Sequence, residues 1–220
     1  MTNPPPARPL RADAVRNRQL LLSAAAAAFA EQGTNVSIAE IAQRAGVGKG
    51  TVFRHFASKE DLIAAIMGEL IDRLVSVGTG LSDAADPAAA LFEFMTVAIE
   101  RLTEDRALCD VIGRPSLQVP AVQAGINGLC EVVEVLTARA RRQGAIRHDI
   151  TGQDIVLLLA GVHQTAAPLM DTLPQLWRRY LRLVFDGLRS QTSEPLPHPL
   201  PARLQFANPD PLPAVTSKTR

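Results

Sequence analysis

Residues 37–59 have the sequence SIAEIAQRAGVGKGTVFRHFASK, and this stretch decides the fold of the first part of the chain. Ser37 followed three positions later by Glu40 is typical of a capping box that opens a short helix. Gly46 suits a tight turn, and a second short helix is predicted to begin near Lys49. The pattern predicts a helix-turn-helix unit.

The second of these helices carries a polar and basic face of the kind that enters the major groove of DNA. Lys49 is placed for a base contact such as guanine O6 or N7, while Thr51 and Arg54 can contact a base or a phosphate. His55 and Lys59 are placed for phosphate contacts, which fix register rather than sequence. Two core helices with an incidentally basic face are the alternative interpretation of these residues alone.

Charge is distributed unevenly along the chain, although the net charge is only +1. The first 60 residues carry eight basic and four acidic side chains, whereas the rest of the chain carries 15 basic and 18 acidic ones. A basic first quarter indicates that this end of the molecule meets a polyanion.

The composition and periodicity favour an all-α fold. The chain has 220 residues, 47% of them apolar, which is enough apolar material for a folded core. Apolar residues recur at helical spacing and no strand-length alternation separates them. Nine helices are predicted, beginning near residues 14, 37, 49, 58, 87, 105, 120, 151 and 174. Eleven of the 16 prolines lie in residues 1–9 and 195–213, so both ends are expected to be tails.

Several classes of protein are excluded by what the sequence lacks. No run of about 18 apolar residues is present, so neither a transmembrane helix nor a membrane partner is predicted, and no secretory signal is expected. The two cysteines, Cys109 and Cys130, are expected to be reduced core thiols. No catalytic, cofactor-binding or metal-binding motif occurs, so no such residue is predicted. Glu131 and Glu134 share a helix face that we interpret as solvated; an all-α enzyme or ligand carrier is the alternative class.

Two segments resemble the N-terminal DNA-binding domain of TetR-family transcriptional regulators: LLLSAAAAAFAEQG at 20–33 and SIAEIAQRAGVGKGTVFRHFASKEDLIAAI at 37–66. The resemblance covers residues 13–71. It implies a cytoplasmic, homodimeric, nine-helix regulator, usually a repressor, that binds a roughly palindromic operator in double-stranded DNA. It implies a DNA-binding domain at 13–57 and a ligand-binding and dimerisation domain at 58–190, flanked by tails at 1–12 and 191–220.

The predicted DNA contacts follow from the helix-turn-helix pattern and from the family positions that match it. They are Ser37, Gly48, Lys49, Gly50, Thr51, Phe53, Arg54, His55 and Lys59. Phe53 replaces a tyrosine common in the family, so a phosphate hydrogen bond is lost there. Ala39 stands where some members carry a longer base-reading side chain, so specificity is expected to rest on few side chains and partly on DNA shape.

The resemblance also implies a pocket for a small-molecule effector, expected to be mostly apolar with few polar anchors. The predicted lining residues are Met67, Phe92, Met95, Leu102, Cys109, Ile112, Leu129 and His163. Met and Phe at this spacing fit a plain core equally well. His163 fits a core histidine, a hydrogen-bonding group of the pocket or a metal ligand.

The eighth and ninth predicted helices are apolar over a wide surface, which indicates that a second copy of the chain completes a four-helix bundle with them. The predicted dimer residues are Leu158, Val162, Leu176, Trp177, Tyr180 and Val184. A monomeric core is the alternative. The segment after residue 190 is expected to be a disordered extension; a tail docked across the dimer through Leu196, Leu200, Leu204 and Phe206 is the other possibility.

Overall fold

The computed structural model describes residues 9–32, 35–104, 119–189, 194–201 and 204. Within these ranges the chain is helical, without strands, and the all-α prediction is confirmed. The helices are α1 (Pro9–Gln32), α2 (Ile38–Arg44), α3 (Lys49–His55), α4 (Lys59–Gly80), α5 (Pro87–Glu104), α6 (Pro120–Arg142), α7 (Gly152–Ala166) and α8 (Leu176–Gly187), with a 3-10 turn at Ala167–Leu169. The short helix predicted over 105–113 lies outside the described residues.

Side-chain caps define where four of the helices begin. Ser37, Ser58 and Thr151 each accept the N–H of the residue three positions on, and the carboxylate of that residue accepts the N–H of the cap. Asp86 accepts two N–H groups of the first turn of α5 at 3.0 Å, which leaves Pro87 at the first helical position. These starts are confirmed because each depends on a local hydrogen-bond pattern that the sequence displays.

Three helix limits differ from the predicted ones. Helix α1 begins at Pro9, within the segment expected to be a tail, because proline suits a first helical position that needs no N–H donor. The small and polar residues of 77–86 predict a hinge, but helix α4 runs on to Gly80. Helix α8 begins at Leu176 rather than near Pro174, since Gln175 at its N-cap is not helical.

Helix α4 is the element shared by the two halves of the molecule. Its apolar stripe is buried along nearly its whole length: Leu62, Ile63, Ile66, Met67, Leu70, Ile71 and Leu74 are each at most 6% exposed. Helix α4 contacts α1 and packs most extensively against α6. Helix α6 in turn packs against α5 and α7, so one hydrophobic core runs from α1 to α8.

Helix α6 anchors the ends of two neighbouring helices at close range. A Cβ atom on Gly152, the first residue of α7, would lie 2.5 Å from Glu134 N and 2.6 Å from Cys130 O. A Cβ atom on Gly78, near the end of α4, would lie 2.6 Å from a methyl carbon of Val132. The first of these contacts is with backbone, which cannot move aside as a side-chain tip can.

We therefore expect Gly152→Ala to destabilise the protein by about 2–4 kcal/mol, since the start of α7 must move away from α6. Gly128→Ala, at an α6 position with no atom within 4 Å of the added Cβ, is the matched control. The control should be neutral or stabilising by up to about 1 kcal/mol. Urea unfolding at one fixed protein concentration measures both, and equal stability of the two variants would contradict the packing described.

Candidate nucleic-acid interface and apolar cavity

Helices α2 and α3 form the predicted helix-turn-helix unit. The turn between them requires a glycine, because Gly46 has φ +68°. Ile41, Ala42 and Val52 are at most 3% exposed, and the N–H of Val47 donates to Ala42 O at 3.0 Å. The inner faces of both helices are thus committed to packing, which leaves the opposite face of α3 to solvent.

The nine predicted DNA-binding residues all lie at or near the surface of this unit. Thr51, His55 and Lys59 are partly buried. The exposed ones are Ser37, Gly48, Lys49, Gly50, Phe53 and Arg54. Phe53 is 48% exposed, and the Lys49 ammonium lies 6.0 Å from the centre of its ring, so an apolar and a cationic group stand side by side on the outer face of α3.

Helix α1 fixes the position of this unit through contacts that sequence analysis did not assign. Arg44, at the end of α2, forms an ion pair with Glu31, which lowers the pKa of that carboxyl. The Arg18 guanidinium lies 5.3 Å from the ring centre of Phe56, which is buried just after α3. The Lys59 ammonium lies 5.8 Å from the Phe29 ring. The two members of each aromatic–cationic pair are far apart in the sequence, so no local sequence pattern predicts these contacts.

An apolar cavity of about 110 Å³ lies between α4, α5, α6 and α7. Every side chain described along its wall is apolar. Its lining residues are Met67, Leu70, Ile71, Leu74, Phe94, Ala98, Leu102, Ile126, Leu129, Val156, Leu157, Leu159 and Ala160. A molecule held there would be recognised by shape and burial of apolar surface rather than by hydrogen bonds.

Three of the eight predicted lining residues, Met67, Leu102 and Leu129, line this cavity. The structure places Phe92, Met95 and His163 elsewhere; Cys109 and Ile112 lie outside the described residues. The Phe92 ring packs 4.7 Å from the Phe185 ring of α8, centre to centre.

Met95 and His163 are fully buried away from the cavity wall. Burial lowers the pKa of His163, which favours the neutral imidazole. Four cavity-lining residues on α7 were not predicted, namely Val156, Leu157, Leu159 and Ala160, and they belong to a stretch that is apolar on every side of the helix. An apolar pattern of this kind predicts that the helix is buried on several sides, but it does not identify the helices that pack against it.

The six predicted dimer residues divide into two groups. Val162 and Trp177 are 5% and 3% exposed in the single chain, so they belong to its own core and offer no surface to a second copy. Leu158, Leu176, Tyr180 and Val184 are partly buried. Leu183 of α8, at 59% exposed, is the more accessible apolar residue and was not predicted.

Neither a metal-binding cluster nor a membrane-spanning helix occurs among the described residues. Among the described residues, no group of three or more His, Cys, Asp or Glu could hold a metal ion. Over the same part of the chain, no helix has the length and apolar character needed to cross a bilayer. Cys130 is buried, which raises the pKa of its thiol to about 11 and favours the protonated form.

Two family models match the chain in succession. The model described as "Bacterial regulatory proteins, tetR family" matches residues 21–66. The model described as "Transcriptional regulator SbtR-like, C-terminal domain" matches residues 86–190. The first match contains the helix-turn-helix unit, and the second contains α5 to α8.

Solved structures and curated relatives agree with these matches. A TetR regulator from Mycobacterium vanbaalenii is 34% identical with a TM-score of 0.57, covering 82% of this chain and 99% of that one. A TetR regulator from Streptomyces coelicolor is 31% identical with a TM-score of 0.58, covering 80% and 99%. FadR from Bacillus subtilis, solved with stearoyl-CoA, shares the fold at 18% identity, with a TM-score of 0.63 and coverage of 78% and 99%.

The curated relatives include an HTH-type transcriptional regulator of Staphylococcus aureus, 31% identical over 96 residues. That match covers 43% of this chain, and the chain spans about half the length of the relative.

Proposed function

Because the chain belongs to the TetR family of bacterial transcriptional regulators, we propose that it is a homodimeric repressor that releases a palindromic operator when a small apolar effector binds. The family and the names of the relatives indicate a regulator of transcription and not an enzyme. One observation carries the proposal: a single helix, α4, joins the exposed face of α3 to the wall of the apolar cavity. Such a protein acts in the cytoplasm and joins the nucleoid when it binds DNA.

The outer face of α3 supplies the proposed contacts to DNA. Lys49, in the first turn of α3, is placed to donate to guanine O6 or N7 in the major groove. Arg54, His55 and Lys59 supply positive or hydrogen-bonding groups for phosphates, and Ser37 does the same at the start of α2. Phosphate contacts of this kind make the affinity fall linearly with salt on logarithmic axes.

A palindromic operator requires two copies of the chain with their recognition helices about 34–36 Å apart or at a multiple of that distance. Helices α7 and α8 supply the proposed interface between the copies. Tyr180, Leu183 and Val184 lie on α8 at a spacing that places them on one side of the helix, and Leu157 on α7 is 38% exposed. Burying this apolar surface against its symmetry mate would drive dimerisation.

Helix α4 links the cavity to the DNA-binding unit as a lever. Its far end is held to α6 by the close contact at Gly78 and by Arg139, which donates to Ala84 O at 2.7 Å and also to Ser82 O. At about 1.5 Å per residue, Leu70 lies roughly 12 Å from Gly78 along α4, and Lys59 roughly 29 Å. A displacement of α4 at the cavity is therefore enlarged roughly twofold at the DNA-binding unit.

The size of the cavity provides the reason for α4 to move. An apolar cavity of about 150 Å³ in another protein is known to accept benzene, and the cavity here is about 110 Å³. Even a single aromatic ring must therefore push its walls apart, and α4 forms one wall. If the effector binds the displaced arrangement more tightly, it shifts the population away from the spacing that fits the operator.

Selection of bound sequences from random duplex DNA tests the DNA-binding part of the proposal. We expect the native chain to enrich a palindromic motif and Lys49→Ala to weaken or relax it, because one bidentate base contact discriminates by about 1–3 kcal/mol. Arg142→Ala, which removes an exposed positive charge from α6, is the control and should enrich the native motif. Failure of the folded native chain to enrich any motif at low salt would contradict the proposal.

Benzene tests the cavity. We expect saturating benzene to raise the unfolding temperature of the native chain and to weaken its binding to the selected operator. Ala98→Leu fills the cavity from α5 and should abolish both effects, whereas Ala89→Leu, on the exposed side of α5, should keep them. An unfolding temperature that benzene leaves unchanged in the native chain would show that the cavity does not bind apolar molecules.

A further inference from the structure

The C-terminal segment after α8 returns to the body of the molecule and is fastened there. This segment, residues 194–201 together with Leu204, is called the strap. Arg147 Nη2 donates to Glu194 O at 2.7 Å, and the N–H of Leu196 donates to Asp149 Oδ2 at 2.8 Å. At the far end Leu204 is only 9% exposed and belongs to the hydrophobic core. The strap is therefore held at both ends.

The two side chains that hold the start of the strap form an ion pair with two hydrogen bonds. Arg147 donates to Asp149 through Nε at 2.6 Å and through Nη2 at 2.8 Å, and the two side chains are 11% and 18% exposed. The hydrogen bonds from Arg147 and from the N–H of Leu196 hold the pKa of Asp149 well below its usual range. The carboxylate consequently remains ionised throughout the physiological pH range.

Arg147 also holds the C-terminal end of α8, through its backbone N–H. The backbone N–H of Arg147 donates to Leu188 O at 2.8 Å, and Leu188 is the residue that follows α8. Carbonyl groups at a helix end lack partners within the helix, so this bond completes the end of α8. Arg147 thus joins the turn before α7, the end of α8 and the start of the strap.

Helix α8 needs such an anchor because it is short. It has 12 residues, a length at which an isolated helix is marginal in water. Its last turns carry Phe185 into the core of the chain and Leu183 and Val184 towards the face proposed for the dimer. Fraying of the C-terminal end would loosen both surfaces together.

The middle of the strap crosses from the end of α8 towards α6 and the start of α7. Leu200 and Pro201 form part of the wall of a second, more polar cavity of about 410 Å³, together with Asn127 and Glu131 of α6 and Thr151. The strap therefore bridges the last three helices rather than extending α8. The match to the C-terminal family model ends at residue 190, so the strap lies outside the matched residues.

We propose that the strap is an intramolecular clamp: through the positioning residues Arg147 and Asp149 it holds the end of α8 against the turn that precedes α7. The clamp fixes α7 and α8 as one unit. Its effect on the dimer rests on the function proposed above, whereas its effect on α8 within one chain does not. The alternation of proline along the strap reduces the conformational freedom lost when it docks.

Hydrogen exchange on the full-length chain tests the clamp directly. Asp149→Ala removes the acceptor of the Leu196 N–H and the partner of Arg147. We expect the amide of Leu196 and the amides of residues 184–189 to exchange roughly tenfold faster, and the dimer dissociation constant to rise by a similar factor. Glu100→Ala, which removes an exposed ion pair with Arg178 at the other end of α8, is the control and should change neither.

Leu196→Pro provides a second variant if Asp149→Ala fails to fold. It removes the N–H donor of the strap together with the leucine side chain, which is 44% exposed, and it leaves the Arg147–Asp149 pair in place. It should also accelerate exchange at residues 184–189. Unchanged exchange at residues 184–189 in both variants would overturn the clamp, as would unchanged exchange of Leu196 in Asp149→Ala. A native chain that is monomeric at every concentration would contradict the proposed function instead, and the exchange result would still decide on the clamp.

Discussion

The packing of α4 against α6 is the contact on which the rest of the structure depends. Leu62, Ile63, Leu70, Ile71 and Leu74 of α4 all belong to one hydrophobic core, in which α4 contacts both α1 and α6. The apolar stripe of α4 therefore joins the helices that precede it to the helices that follow it. The position of the outer face of α3 follows from the position of α4, and the position of α4 follows from the surface of α6.

The apolar cavity leaves space directly beside α4, which forms one of its walls. A regulator that yields to an effector requires such a gap beside its moving element, because a fully packed core would resist the change. The close contacts at Gly78 and Gly152 serve the opposite purpose, since they hold the far ends of α4 and α7 in place.

The elements predicted correctly from sequence are those fixed by local chemistry. Ser37, Gly46 and Ser58 each determine a cap or a turn within four residues, so the helix-turn-helix unit and the start of α4 follow from the sequence. The cavity wall depends instead on how four helices approach one another, and only Met67, Leu102 and Leu129 were anticipated among the described residues. The sequence of an apolar helix does not show which side faces its own chain and which faces a second copy. The sequence therefore predicts Trp177 and Val162 at the dimer interface, although both are buried within the single chain. The docking site of the strap could not be predicted either, because the proline-rich composition of the strap does not indicate that it binds Arg147 and Asp149.

The proposed function requires two recognition helices whose spacing is set by the position of α4 in each copy. A hydroxyl-radical footprint of the full-length chain on its selected duplex tests this most directly. We expect two symmetric protected patches whose centres lie about 34–36 Å apart, or a multiple of that distance, and loss of both patches together when benzene is added. A single protected patch, or two patches that are lost independently, would contradict it.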